Sequence, residues 1–121
     1  IFFQKKLIGR VSIRNIHLFQ QDAHNMSVFL SFWLSPEAAG KGFGTEMLTR
    51  VCQFIFEDLK LNKIFAGVFS ENIPSKKLLK KCNFREVGTL EKHYKKGNKW
   101  IDSTRFELLR ENFLKSKLIK N

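Results

Sequence analysis

Gly40, Gly42 and Gly44 fall within five positions of the stretch SPEAAGKGFGTEML, residues 35–48, and lead straight into a helical pattern. Glycines at a strand-to-helix junction let backbone N–H groups approach a ligand closely, and the positive end of the helix dipole faces the same way. Such a loop can bind an anion, with Lys41 adding a cation. A glycine-rich turn with no ligand is the alternative reading of the loop taken alone. Two phosphate loops do not fit. The Walker pattern needs Gly-Lys-Ser/Thr, and Lys41 is followed by Gly42; the dinucleotide fingerprint needs a third glycine at 45, which is Thr. His93 and Tyr94 are neighbours that can move protons. An unperturbed imidazole titrates near pH ~6.5 and suits a base, whereas Tyr94 can relay or donate a proton; an exposed strand histidine and a packed rim tyrosine are the plainer alternatives. Cys52 and Cys82 have no second Cys or clustered His at ligand spacing, so they read as reduced thiols and no metal site is expected.

These residues need elements to hold them. LIGRVSIRNI, from Leu7, alternates apolar and polar positions like a strand with one wet face, HLFQQDAHN reads as a hairpin loop, and MSVFLSFWLS is a largely buried strand ending at Pro36. From Thr45 to about Lys60, the positions Met47, Leu48, Val51, Cys52, Ile55 and Leu59 form a helix stripe. KIFAGVFS, residues 63–70, is a central strand by composition. A short basic helix follows over about Ser75–Lys81, then strands near 84–95 and 99–109 joined by a turn at Lys96-Gly97-Asn98. Residues 110–121 are a helix or a loose tail.

At 121 residues, 43% hydrophobic and with thirteen Phe, the chain predicts one domain spanning 1–121 and a real core. Net charge is +11, of which +9 falls in residues 76–121, and such a field attracts phosphate groups without specifying a fold. Most of these lysines also fit a solvated face. No apolar run approaches the ~20 residues needed to span a bilayer, and IFFQKKLIG lacks a signal-peptide layout. A cytoplasmic protein with no membrane partner is expected, and the absence of an initial Met suggests an upstream portion.

The loop AGKGFG resembles, in its last four positions, the Arg/Gln-x-x-Gly-x-Gly loop of the GNAT superfamily, the acyl-CoA-dependent N-acetyltransferases; Ala39 stands at the Arg/Gln position. The later stretch ENIPSKKLLKKCNFREVGTLEKHYKKGNKWIDSTRFELL is similar to the ribosomal-protein alanine/serine N-terminal acetyltransferase branch, through Asn72, Ser75, Phe84, Glu86, Gly88, Gly97, Trp100 and Asp102. The resemblance runs from Leu7 to Leu109. It implies an α/β (α+β) GNAT-like fold, a mixed central sheet of about six strands with helices packed on it, lacking the usual first strand and two helices.

It also implies acetyl-CoA as cosubstrate and assigns roles. Ala39, Gly40, Lys41, Gly42, Phe43, Gly44 and Thr45 would cradle the pyrophosphate, and the strand end at Trp33 and Leu34 would offer an edge to the pantetheine arm. Phe32 and Trp33 would line the acyl pocket or pack beneath it. Asn72 would bond the pantetheine or serve as a turn residue, and one of Lys76, Lys77, Lys80 and Lys81 would meet the 3′-phosphate. Many superfamily members donate a proton to the leaving thiolate from a Tyr, whose position here is Leu79; in the resembled branch Ser75 lies near the thiolate, with helix capping as its other role. Gly67 stands where other members place a strand Glu, so the base is open among His93, Tyr94 and solvent, with Glu71 in the same region. Asp102 reads as structural. The expected function is acetyl transfer to a primary amine, most simply a protein N-terminal α-amine. Alternatives are an amino sugar or polyamine acceptor, a catalytically degenerate acyl-CoA binder, and a basic nucleic-acid or ribosome-associated module. The enzyme reading does not require nucleic acid and allows a homodimer.

Overall fold

The computed structural model describes residues 2–3, 6–7, 9–15, 27–38 and 40–120. The expected hairpin loop, with His17 and His24, and Ala39 lie outside them. Phe2–Phe3 (β1) and Lys6–Leu7 (β2) pair antiparallel as a ribbon of their own. The main sheet holds Gly9–Asn15 (β3), Ser27–Leu34 (β4), Lys63–Phe69 (β5), Arg85–Lys96 (β6) and Lys99–Leu109 (β7), in the order β3-β4-β5-β7-β6. Among the described residues the main sheet thus holds five strands where about six were expected, and the first two short strands pair with each other. Among the described strands only β4 and β5 run parallel. The long connection between them carries Phe43–Gln53 (α1), as a parallel crossover requires.

The stripe that predicts one helix to Lys60 is interrupted. After Gln53 the chain makes a π turn over Phe54–Asp58, and Leu59 N–H donates to Phe54 O at 2.9 Å, an i→i+5 bond. The wider turn rotates the following side chains. Phe56, off the stripe, is fully buried against Phe113, with ring centroids 5.2 Å apart, while Leu59, on the stripe, is 41% exposed. Lys60 then takes φ +57° and Leu61 N–H reaches back to Ile55 O, ending the helix in a left-handed cap.

Ile73–Lys81 (α2) follows β5, and Arg110–Lys120 (α3) follows β7, so the end of the chain is helical up to Lys120. One face of the sheet supplies Val28, Leu30, Ile64, Ala66, Phe106 and Leu108 to the core; Leu48, Cys52 and Ile55 of α1, Leu79 of α2 and Phe113 of α3 close over them. On the other face the Glu107 carboxylate is held by Lys63 at 2.7 Å and by Arg85, and is 7% exposed. These contacts tie β5, β7 and β6 together across that face. No helix among the described residues is long and apolar enough to cross a membrane.

Candidate active site

β4 and β5 share a ladder for four residues, from Ser27↔Lys63 to Leu30↔Ala66, and no further. Each stays paired on its other side, β4 with β3 as far as Leu34 and β5 with β7 as far as Phe69. Ser31–Leu34 and Gly67–Phe69 therefore diverge as two walls of a wedge, and backbone groups that no longer bond each other face into it. An extended amide-rich chain can bond such edges as an added strand would.

A cleft of about 620 Å³ opens there. Phe32 lines it from β4 and Gly67, Val68 and Phe69 from β5; Asn72 and Ser75 come from the α2 corner, and Tyr94, Lys95 and Lys96 from β6. Asn72, Ser75 and Tyr94, three of the residues singled out from sequence, are thus brought together. Trp33 is not among the lining residues and is 50% exposed, on the opposite face from its neighbour Phe32. Leu34 is half-buried and contributes elsewhere, against the glycine loop.

The loop enters α1 two residues earlier than the sequence suggests. Gly42 is the N-cap, with φ +82°, and Glu46 N–H donates to Gly42 O at 3.1 Å as the first helical bond. No side chain among the described residues caps this end. An α-helix has no internal acceptors for its first N–H groups, so those of Gly44 and Thr45 point out of the helix start. Gly40 also has positive φ, +77°, and a Cβ at either Gly40 or Gly42 would meet no atom within 4 Å. Backbone conformation, not crowding within the chain, is what these two positions demand. Gly44 differs. A Cβ there would lie 2.9 Å from Leu78 Cδ2 and 3.4 Å from Leu34 Cδ2, so this buried glycine brings α1 against α2 and the end of β4. Lys41, Phe43 and Thr45 flank it; Lys41 is exposed, Phe43 and Thr45 half-buried.

At the other end, Asn72 is the N-cap of α2, its Oδ1 accepting from Ser75 N–H at 3.2 Å. Asn72 thus caps the helix through Oδ1 while also lining the cleft, and Ser75, inside the first turn, has a half-buried side chain and lines the cleft too. Tyr94 stacks edge-on to Phe69 at 5.6 Å between centroids and to His93 at 4.7 Å. His93 is turned to Arg105, with Nε2 3.0 Å from a guanidinium nitrogen, and does not line the cleft. A guanidinium only donates, so in this contact Nε2 is the acceptor. Glu71 pairs with Lys99 at 3.3 Å.

Of the basic α2 residues, Lys76 donates to Ser70 O at 3.1 Å and Lys80 lies 3.7 Å from Glu86. Lys77 and Lys81 are exposed and form no ion pair among the described residues. Phe69, Lys95 and Lys96 were not singled out from sequence, since nothing local distinguishes them from other strand residues. Arg105 did leave a signal. It lies over Gly67, where a Cβ would come within 3.0 Å of its Nη1, and an isolated strand glycine marks such a close approach. Both cysteines are buried and neither forms a disulfide; burial, and secondarily Cys82, pushes the Cys52 thiol up to about 12, which keeps it out of nucleophilic chemistry.

Against known proteins, a family model described as "Acetyltransferase (GNAT) domain" matches residues 1–85. The chain is 30% identical over 111 residues to a spermidine N(1)-acetyltransferase of Vibrio cholerae, covering 92% of this chain and 61% of that protein. It is 32% identical over 79 residues to the uncharacterized N-acetyltransferase YnaD of Bacillus subtilis, covering 65% of this chain and 46% of that one. Among solved structures, the F149A mutant of the Vibrio cholerae spermidine N-acetyltransferase SpeG superposes with a TM-score of 0.80 at 29% identity, over 94% of this chain and 64% of its own. The chain thus spans 46% to 61% of the length of these two relatives.

Proposed function

Because the chain belongs to the GNAT acetyltransferase family, we propose that it carries the acetyl-CoA site and the reacting cleft of an N-acetyltransferase acting on a primary amine. The observation that carries this reading is the parting of β4 and β5 after Leu30 and Ala66, beside a helix start whose cap is Gly42. The outward N–H groups of Gly44 and Thr45 and the α1 dipole suit a pyrophosphate. Lys77 and Lys81 are available to a further phosphate. The wedge edges at Ser31–Leu34 and Gly67–Phe69 suit an amide-rich arm.

Bound acetyl-CoA supplies a thioester that an uncharged amine can attack, forming a C–N bond as the C–S bond breaks. Ser75 and Tyr94 both line the cleft, and each hydroxyl can give a proton to the departing sulfur. His93 serves as base only if Nε2 leaves Arg105; with that bond made, the amine proton goes to solvent, or passes through the Tyr94 hydroxyl as that hydroxyl gives its own proton to the departing sulfur. Confining the two reactants in the wedge supplies the orientation that the reaction needs.

The acceptor we favour is a peptide N-terminal α-amine. Lys95 and Lys96 line the cleft and no carboxylate does among the described residues, so a polycation finds no counter-charge there. The second reading is a polyamine, and the likeness to the spermidine acetyltransferase supports it. Incubation with acetyl-CoA and, separately, an alanine- or serine-initiated peptide, spermidine and glucosamine, followed by thiol release, decides between them. Release with the peptide above that with spermidine is expected. Release with spermidine alone selects the second reading, and binding of acetyl-CoA without release by any amine contradicts both.

A further inference from the structure

Tyr94 reaches the cleft through an irregular stretch of β6. Leu90 pairs with Ser103 and Tyr94 with Ile101, so three residues, Glu91, Lys92 and His93, stand opposite the single residue Asp102. Lys92 is left-handed, φ +48°, a conformation that non-glycine residues rarely adopt. Its N–H donates to Asp102 Oδ1 at 2.8 Å. The same residue's main-chain oxygen accepts from Ser70 N–H at 2.9 Å. Ser70 opens the corner that carries Asn72 and Ser75, and its hydroxyl is 2.7 Å from that of Thr104.

We infer that Asp102 is a positioning residue of the active site, its carboxylate holding the β6 bulge that aims Tyr94 and its carbonyl holding the corner that aims Ser75. The inference rests on the acetyltransferase reading for its effect on rate, but not for its effect on Tyr94. Asp102 itself does not line the cleft. Among the described residues its side chain accepts one N–H, that of Lys92, so an amide oxygen at the same place can do the same work. A residue needed for its negative charge would not tolerate that exchange. A bulge that depends on this bond to hold a strained lysine should depend on it less when residue 92 is glycine.

The test compares Asp102→Asn, Asp102→Ala and the double variant Asp102→Ala/Lys92→Gly. Asp102→Ala should turn over about tenfold or more slowly, with the acetyl-CoA Kd unchanged, because a displaced catalytic group lowers rate and leaves the distant loop intact. Asp102→Asn should stay within about threefold of the parent, and the double variant should recover much of the loss. Tyr94 is the single tyrosine of the chain, so ring-labelled tyrosine gives one NMR reporter that needs no turnover. Its signal should shift or broaden in Asp102→Ala and return in the double variant. Should Asp102→Ala fail to fold, Asp102→Ser, whose hydroxyl falls short of the Lys92 N–H, takes its place. The inference is overturned if Asp102→Asn is as slow as Asp102→Ala, or if Asp102→Ala leaves the Tyr94 signal unmoved. A parent that turns over no amine defeats the acetyltransferase reading instead, and the tyrosine signal then decides the positioning role alone.

Discussion

The two parts of the proposed site, the glycine loop and the cleft, are built from different materials. At the α1 end, Gly40, Gly42 and Gly44 present backbone: two positive φ angles, no capping side chain and a helix start facing outward. At the α2 and β6 end, Ser75 and Tyr94 present hydroxyls, and long-range bonds from β7 hold the segments that carry them. Backbone donors suit an anion whose charge is the same before and after reaction, and side-chain hydroxyls suit a site where a proton must move. Affinity should therefore belong to the first end and rate to the second.

Gly42→Val is the strongest way to break that division. A β-branched residue at φ +82° is strained, and a Cβ pushes a bound phosphate away from several donors at once, so acetyl-CoA affinity should fall by about 2 kcal/mol or more. Calorimetric titration of the folded variant checks it; binding equal to the parent's would remove the loop from the site. Ser75→Ala should do the converse. Loss of one proton donor should lower kcat about tenfold, near 1.4 kcal/mol, while acetyl-CoA binds as before. If both variants lower the same quantity, the two ends are not divided as stated.

Glu107 supplies a control on the far face of the sheet. Hydrogen bonds from Lys63 and then Arg85 hold its carboxyl below the usual value near 4.5, against the opposing effect of burial. A carboxyl whose pKa is lowered in the fold contributes stability above its unfolded pKa and loses it as pH falls through the folded one. Glu107→Gln should thus cost about 1 kcal/mol in unfolding free energy at neutral pH, and the gap to the parent should narrow below pH 4.5 in denaturant titrations. A gap that does not change with pH would show that shape and not charge is at stake. Lys41→Ala should have the smallest effect, about 0.5 kcal/mol in acetyl-CoA affinity, because an exposed cation is screened. It sharpens the comparison by separating the loop's charge from its backbone.

The same contrast decides what could be read from sequence. Three glycines at fixed spacing announce a loop whose requirement is local, and the structure places positive φ at two of them. The helix stripe was readable up to Ile55, but the π turn was not, since an i→i+5 bond leaves the residue pattern helical and merely exchanges Leu59 for Phe56 in the core. Strand positions followed from alternation and composition. The parting of β4 from β5 did not, because it depends on what each strand pairs with on its other side. Nor did the β6 bulge announce itself: its left-handed position is a lysine, stabilised by a carboxylate ten residues away. Ser75 and Tyr94 were identifiable as candidates from a resemblance, but their convergence on one cleft is a consequence of contacts far apart in the chain.

Backbone amide exchange in the presence of acetyl-CoA tests the central claim, that the wedge between β4 and β5 is the cofactor site. The account predicts slowed exchange in Ser31–Leu34, Gly67–Phe69 and the first turn of α1, with little change in β3 or in the part of β4 before Ser31. Binding that leaves those amides unchanged, or that slows exchange only elsewhere, would contradict it.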